Sequence, residues 1–503
     1  MLAFEGKPKF LEKYTVTGFD AIQTLGEIGR LQINLHSRES TSEPHLKAYA
    51  YVQKNLGEEI TCTVDDWRFV GTVEDVAYDS ASRDFRLTLH DALSKFDRAI
   101  GSNVFADQTI KDIVSGVAPG GVKVEYVGGF DGIKVKLAIQ YQESALRFVK
   151  RLLSEFGGQI WCTSDKVYAG LGPIPQSKSL KLDKDIMEFF IHTRLGAEQV
   201  ELESIPYIKK GTSTSTIELK GGRFGAIQED AIDLRKKGHD AKKIFHVVHE
   251  DASYKDTTHF ANRFLRSQAA GRFVIEGRVM APVNLGTKVT VQGIGAGAGE
   301  ETAIVRSVRC VGDYMKSEVI WQFAAVNPEA VSADGFRQPG ALITSTAVVE
   351  ETYDDLNRVR VKFPWDGKHR VTPWLRIASS SWGEKHMRFL PPRKGDTVLV
   401  VWGQNDMDPV VLGSVTAGDK VGQPKSNLVL KTVDGQTILI SKDTIEMKNK
   451  NAVIRMEQDL IEIDAAGSKI TVDQMDIALK AKGSITLDGP TGIKLKTIKL
   501  DVG

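Results

Sequence analysis

The chain has 503 residues, a formal net charge of +1 and only three cysteines. This length predicts three or more domains, and the near-neutral charge gives no general attraction to nucleic acid or anionic membranes. Cys62, Cys162 and Cys310 lie far apart, each in a strand-like run, and we expect buried structural thiols. The N-terminus lacks a signal-peptide pattern and no apolar run reaches the ~20 residues of a membrane span, so we expect a soluble chain made in the cytoplasm.

The first two hundred residues divide into a β region and a helical region. Residues 1–100 alternate apolar and polar side chains, and residues 67–73 and 85–89 predict a hairpin. In residues 101–200, Asp107 is the expected N-cap of a first helix. Residues 141–156 predict a second helix, ended by Gly157 and Gly158. Its expected buried face consists of Ala145, Phe148, Val149, Leu152 and Leu153.

The middle of the chain returns to β patterning. Residues 201–326 predict strands near positions 273–279, 287–291 and 303–308, with a helix at about 256–268. Residues 327–340 have the composition of a linker. Residues 341–418 contain five short strand patterns and suit a small barrel such as an OB-fold, followed by a linker at 419–427.

The C-terminal region, residues 428–503, repeats about every eight residues. Nearly every repeat holds two apolar residues spaced by two, so both point to one face of a strand. The pairs are Leu428/Leu430, Ile438/Ile440, Ile445/Met447, Ile454/Met456, Ile461/Ile463, Ile470/Val472, Ile477/Leu479, Ile485/Leu487 and Ile493/Leu495. Turn residues such as Asp434-Gly435, Asp459 and Ala466-Gly467 lie between the pairs, although the phase of the repeat is not constant.

A regular repeat with one apolar face predicts a solenoid. Each short strand needs a partner for that face, and no helical pattern in this region supplies one. Three identical chains around one axis would bury the three faces against each other and remove free sheet edges. An ordinary β-sandwich is the alternative.

Patterns for catalytic or cofactor chemistry are weak. The glycine-rich stretch 293–299 lies between predicted strands and opens no helix, so a flexible loop is favoured over a dinucleotide site. His246 and His249 would diverge on a strand and converge only on a helix. We therefore expect no catalytic residue, cofactor or metal. The OB module leaves single-stranded nucleic-acid binding open, through Arg358, Arg360, Lys362, Trp365, Trp374 and Arg376.

The OB module resembles the OB domain of the VgrG-type spike family. The hub-and-needle proteins of contractile phage tails have the same domain. The resemblance lies in the strand 358–363, in Trp382-Gly383, Phe389, Pro392-Arg393, Gly395-Asp396, and in the stretches 398–400, 403–409 and 411–415. Earlier segments are similar to the hub half of that family: FVGTVEDV, DFRLTLHDAL, QESALRFVKRLLSEFGG and APVNLGTKVTVQG. NDMD at 405–408 and Thr416-Ala417 depart from the family pattern, which leaves open whether the machine is a secretion system, an extracellular injection particle or a phage tail.

The resemblance implies a mainly β protein with an α+β hub. The implied order is a first hub barrel at 1–100, a helical insert at 101–200, a second hub barrel at 201–326, the OB-fold, and an intertwined triple-stranded β-helix needle (β-prism) at 428–503. Implied partners are two further copies of the chain, an inner-tube hexamer, baseplate proteins, effector cargo and a PAAR-type tip protein docked at Asp501, Val502 and Gly503. The target membrane would be contacted mechanically, and no nucleic acid is expected. A lytic spike is a further alternative, for which the linker at 419–427 and the end at Gly503 leave little room.

Overall fold

The computed structural model describes residues 2–6, 8–38, 44–182, 184–193, 199–206, 213–218, 242–249, 273–293, 299–327, 342–379, 381–383, 386–388, 392–403, 409–415, 428–432 and 434–486. The chain forms two compact units, Met1–Val415 and Thr416–Gly503. The described residues are mostly in β-strands, as the sequence predicts. Within these ranges, no helix has the length and apolarity required to cross a bilayer.

The N-terminal β region forms antiparallel strands. These are β1 (Ala3–Glu5), β2 (Tyr14–Thr24), β3 (Arg30–Ser37), β4 (Glu59–Val64), β5 (Trp67–Asp79) and β6 (Asp84–His90), with helices α1 (His45–Gln53) and α2 (Leu93–Asp97). The predicted hairpin forms between β5 and β6, where Val73 pairs with Leu89. Its alternating apolar side chains point into the core, which is why the period of two identified it.

The insert contains both predicted helices. Its elements are β7 (Ile100–Thr109), α3 (Ile110–Val117), β8 (Val124–Val127), β9 (Lys134–Ser144), α4 (Ala145–Glu155), β10 (Gln159–Thr163) and β11 (Lys166–Gly170). The predicted face of α4 is confirmed, since all five of its residues are buried. Asp107 is not the N-cap of α3: Thr109 caps it by accepting a hydrogen bond from the Asp112 N–H at 3.1 Å, and Asp107 lies in β7. Thr109 is favoured because Asp112, three residues later, accepts a bond from its hydroxyl in return.

The next β region completes a large sheet. Its strands are β12 (Ser177–Lys181), β13 (Ile186–Thr193), β14 (Gln199–Pro206), β15 (Ser213–Glu218), β16 (Lys242–His249), β17 (Phe273–Val279), β18 (Lys288–Gln292), β19 (Glu300–Asp313) and β20 (Glu318–Val326). β1–β6 join β12, β13 and β17–β20 in one twelve-stranded sheet through the pairing of β2 with β19. Both β regions share one core, in which the ring centroids of Trp67 and Trp321 lie 5.6 Å apart. The helix predicted at 256–268 lies outside the described residues.

The OB module is a small sheet around an apolar core. Its strands are β21 (Leu342–Thr352), β22 (Val359–Lys362), β23 (Arg376–Ile377), β24 (Ser381–Gly383), β25 (His386–Arg388), β26 (Thr397–Gly403) and β27 (Val410–Ser414). Five of them pair in the order β22-β21-β26-β27-β23. The inward-facing residues include Val349, Val361, Phe363 and Trp402. The five predicted strand patterns are therefore confirmed.

The second unit contains the C-terminal sheet, a seven-stranded antiparallel meander. Its strands are β28 (Leu428–Lys431), β29 (Thr437–Ile440), β30 (Thr444–Asn449), β31 (Ala452–Glu457), β32 (Leu460–Ala465), β33 (Ser468–Asp473) and β34 (Ile477–Lys480). The predicted turns connect them. Ala466 and Gly467 have φ of +54° and +94°, as a two-residue type I′ hairpin turn requires.

Candidate functional site

The apolar pairs of the C-terminal region lie on one face of the C-terminal sheet in two columns. One column runs through Ile440, Ile445, Met456, Ile461, Val472 and Ile477. The other runs through Ile438, Met447, Ile454, Ile463, Ile470 and Leu479. Each member stands directly opposite its neighbour on the next strand, which is the contact that stabilises a sheet face. We call this surface the apolar face.

The meander explains why the repeat changes phase. Successive pairs from Ile438 to Ile477 are spaced alternately by seven and nine residues. In an antiparallel meander alternate strands run in opposite directions, so fixed columns are reached after a shorter and then a longer interval. The unequal spacing is therefore the signature of two straight columns.

The apolar face is uncovered in the single chain, and its opposite face is charged. Ile445, Ile461 and Ile470 keep 38%, 44% and 40% of their surface exposed. On the other face Glu446 stands opposite Arg455, and Arg455 stands opposite Glu462. An apolar surface of this extent marks an interaction site, because monomeric proteins seldom leave one open.

The structure describes most of the predicted needle core but not the tip. The residues from Ile438 to Leu479 lie in β29–β34 and occupy the two columns. Ile485 follows β34 and is 51% exposed. The other candidates lie outside the described residues: Leu487, Ile493, Leu495, Asp501, Val502 and Gly503.

Three of the four basic residues proposed for nucleic-acid contact pair with carboxylates within the OB module. Arg358 donates to Asp354 at 2.7 Å, and Arg360 donates to Glu351 at 3.0 Å. Lys362 lies 3.3 Å from Glu350 and is the main cause of the lowered pKa of that carboxyl. These carboxylates reduce the positive potential that a phosphate backbone requires.

The aromatic candidates are part of the module's packing. Trp365 stacks on Phe363 with ring centroids 4.7 Å apart, and its indole N–H donates to the Ser345 hydroxyl at 2.9 Å. Trp374 lies 5.9 Å from the guanidinium carbon of Arg360. These contacts favour the interpretation of the tryptophans as structural residues rather than as a base-stacking platform.

The weaker motifs fall in strands and loops. Gln292 of β18 pairs with Glu300 of β19, so the glycine-rich stretch connects two antiparallel strands; its residues 294–298 lie outside the described ones. His246 and His249 both lie in strand β16 and not in a helix. No cluster of three potential metal-ligating side chains occurs in the described part of the chain.

Several ionisable groups are buried in the first unit. All three cysteines are buried and unpaired, as predicted, and burial raises the pKa of the Cys162 thiol. Asp91 is 2% exposed and accepts hydrogen bonds from the N–H groups of Gly29 at 2.8 Å and Leu93 at 3.0 Å. Burial raises its pKa to about 7. Gly29 has to be glycine, because a Cβ there would collide with the Asp91 carboxylate.

One internal contact escaped sequence reasoning. Strands β7 and β9 form an antiparallel pair whose long connection, residues 110–133, contains α3 and β8, and we call this pair the β7–β9 hairpin. It packs on the OB module through Val104, Leu137 and Ile139. The available signal was the run Leu-Ala-Ile-Gln at 137–140, which breaks the alternation expected of a strand with one buried face.

Comparison with known families identifies two domains in this chain. Residues 27–170 match the phage tail baseplate hub (GPD) family, and residues 345–415 match the type VI secretion system/phage-baseplate injector OB domain. These ranges include strands β7–β11 and helices α3 and α4 of the insert, and the described OB sheet except the first three residues of β21. A comparison with curated protein sequences gives no match.

Solved structures share the fold at low sequence identity. The Escherichia coli c3393 protein, described as a type VI secretion component similar to the T4 bacteriophage tail proteins gp27 and gp5, has a TM-score of 0.53 and 14% identity over 82% of this chain and 100% of that chain. A chain of the lidless PdpA–VgrG complex has a TM-score of 0.54 and 8% identity over 92% and 93%. A chain of the half-lidded Francisella PdpA–VgrG complex has a TM-score of 0.53 and 9% identity over 92% and 83%.

Proposed function

We propose that this chain is a VgrG-type spike protein that works as a homotrimer, because it combines a baseplate hub domain and an injector OB domain. Its role is structural, as the hub and spike of a phage tail-like contractile machine. In the trimer, the C-terminal sheets of three chains form a three-sided needle.

The uncovered apolar face is the observation that carries this proposal. Three sheets with their apolar faces turned inward form a triangular prism with the charged faces in water. Burying the exposed half of one large side chain gains roughly 1 kcal/mol. Two straight columns of such side chains therefore favour the trimer strongly, before the entropy of ordering the chains is subtracted.

The hub half would connect this needle to the rest of the machine. We place the first and second hub barrels at 1–100 and 201–326, the helical insert at 101–200, and the OB-fold at 341–418. Three chains with two barrels each present six similar surfaces to an inner-tube hexamer and to baseplate proteins. The injector-domain match at residues 345–415 supports the place of the OB-fold, and the baseplate-hub match at residues 27–170 covers most of the proposed first barrel and insert.

The far end of the needle would hold the tip. Asp501, Val502 and Gly503 are the proposed docking residues for a PAAR-type protein, and effector cargo would travel with the spike. The chain would be made in the bacterial cytoplasm, assembled into the particle and delivered outward on contraction. It would contact the target membrane mechanically, without catalysis of its own.

The molar mass of the purified chain in solution tests this proposal. Light scattering at low micromolar concentration should give three times the 55.4 kDa of one chain. A stable folded monomer would refute the trimeric needle and favour a sandwich in which the apolar face is covered within one chain. Salt-dependent binding of single-stranded DNA by that monomer would revive the nucleic-acid alternative.

A further inference from the structure

The β7–β9 hairpin is covered on both faces. Four consecutive residues of β9, 137–140, are all buried, whereas a strand with one solvent face would alternate. One face joins the core of the insert, where Phe105 stacks on Phe148 of α4 at 5.7 Å. The other face joins the core of the OB module through Val104, Leu137 and Ile139. The hairpin is therefore a shared layer between two cores.

Aromatic contacts extend the contact between the hairpin and the OB module, which we call the seam, beyond the buried run 137–140 of β9. The Tyr141 ring lies 5.1 Å from the Trp365 ring and 5.9 Å from the Trp402 ring, in an edge-on arrangement with the latter. Trp402 belongs to the central strand β26, so the hairpin contacts the interior of the module and not only its rim. Such ring pairs contribute stability beyond their buried area and fix relative orientation.

An ion pair of the OB module, Asp366 with Arg370, contacts strand β7 at the seam. Asp366 is fully buried and accepts from the Arg370 guanidinium at 2.9 Å and from the backbone N–H of Val104 in β7. Although burial opposes its charge, the hydrogen bonds from Arg370 and Val104 hold the pKa of Asp366 below its usual range. Arg370 also donates to the Asn103 side chain at 3.3 Å, and its guanidinium carbon lies 4.5 Å from the centre of the Phe105 ring.

The chain connects the OB module to the preceding β region through residues 328–341, nearly all of which belong to the predicted linker at 327–340. The shared core, the contacts of Tyr141 with the OB tryptophans, and the hydrogen bonds that Val104 and Asn103 make to the Asp366–Arg370 pair all join the insert to the OB module. Each of these contacts is lost if the two surfaces separate, so together they oppose separation.

We propose that the β7–β9 hairpin is a rigid joint that fastens the OB module to the hub, so that thrust from the hub reaches the needle through the hairpin as well as through the linker. The mechanical consequence rests on the proposed function, but the joint is a property of the isolated chain. It assigns the insert a role in force transmission, in addition to its own folding.

Cutting the linker tests the joint. A site for a sequence-specific protease is placed within residues 328–341 of the full chain, which is cleaved and passed over a sizing column without denaturant. We expect the two halves to elute together at the mass of the uncut protein. Leu137→Asp should separate them, because it puts a carboxylate into the shared core. Halves of the parent protein that separate on cleavage would overturn the proposal.

Ile100→Asp is the matched control, since Ile100 is in the same hairpin but is 75% exposed. After cleavage, the two halves of the Ile100→Asp variant should stay together. Hydrogen exchange of α4 shows whether Leu137→Asp leaves the insert folded. If exchange there rises to the level of unfolded chain, Tyr141→Ala replaces it as the milder change, with partial separation expected. Halves that remain together in both seam variants would also overturn the joint. The mass of the uncut chain reports trimerisation separately.

Discussion

Replacing Ile461 by aspartate should prevent the needle from assembling. Ile461 lies in the middle of a column, between Met456 and Val472 on the two neighbouring strands. It keeps 44% of its surface exposed in the single chain, so roughly 1 kcal/mol of its burial is gained only on association. In the trimer three carboxylates would meet in one layer of the core.

The size of the effect follows from the cost of burying charge. The effective penalty for an uncompensated buried ion is several kcal/mol, and three like charges have no counter-charge on the apolar face. The total loss is therefore on the order of 10 kcal/mol per trimer. We therefore expect the needle strands to separate.

Two measurements follow this change. Light scattering gives the mass of the full chain, and hydrogen exchange reports protection in β30–β33, which should fall even if hub contacts keep three chains together. Leu479→Asp should behave in the same way, whereas Ala478→Asp, on the opposite face of the same strand, should keep both mass and protection. A protected trimer in the Ile461 variant would refute the assignment of this face to the needle interior.

Three further predictions concern other parts of the chain. Deleting residues 489–503 should spare the trimer but abolish capture of a PAAR-type tip protein in a pull-down; unchanged capture would place the docking site elsewhere. Burial raises the folded-state pKa of Asp91 to about 7, so as the pH rises Asp91 loses its proton at a lower pH in the unfolded chain than in the folded protein. The hub should therefore lose up to roughly 4 kcal/mol of stability between about pH 4 and pH 7, with no further loss above. Thermal unfolding should show this fall relative to Asp91→Asn, and parallel profiles would contradict it. Finally, the three buried cysteines should react with a thiol reagent only at the rate of unfolding; rapid reaction in native buffer would contradict their burial.

The C-terminal repeat shows how far local pattern can be followed. The spacing of two within each pair predicted strands with one apolar face, and the turn residues predicted their boundaries. Both predictions hold because each strand pairs with its sequence neighbour, so register depends on short-range geometry. The helix α4 was predicted for a similar reason, since its buried face recurs every three to four residues. The start of α3 was wrong by two residues because Thr109 and Asp112 cap it together.

The sequence by itself determined many of the strands, the two helices of the insert, the OB pattern and the need of the C-terminal region for a partner surface, but it did not predict helices α1 and α2. These features depend on neighbours within about one repeat, where side-chain periodicity is read directly. Only the tertiary structure decided that strands on both sides of the insert share one sheet, and that the β7–β9 hairpin belongs to two cores. Contacts such as Tyr141 with Trp365 join residues more than two hundred positions apart. No periodicity encodes such pairings, because they arise only when whole sheets pack against each other.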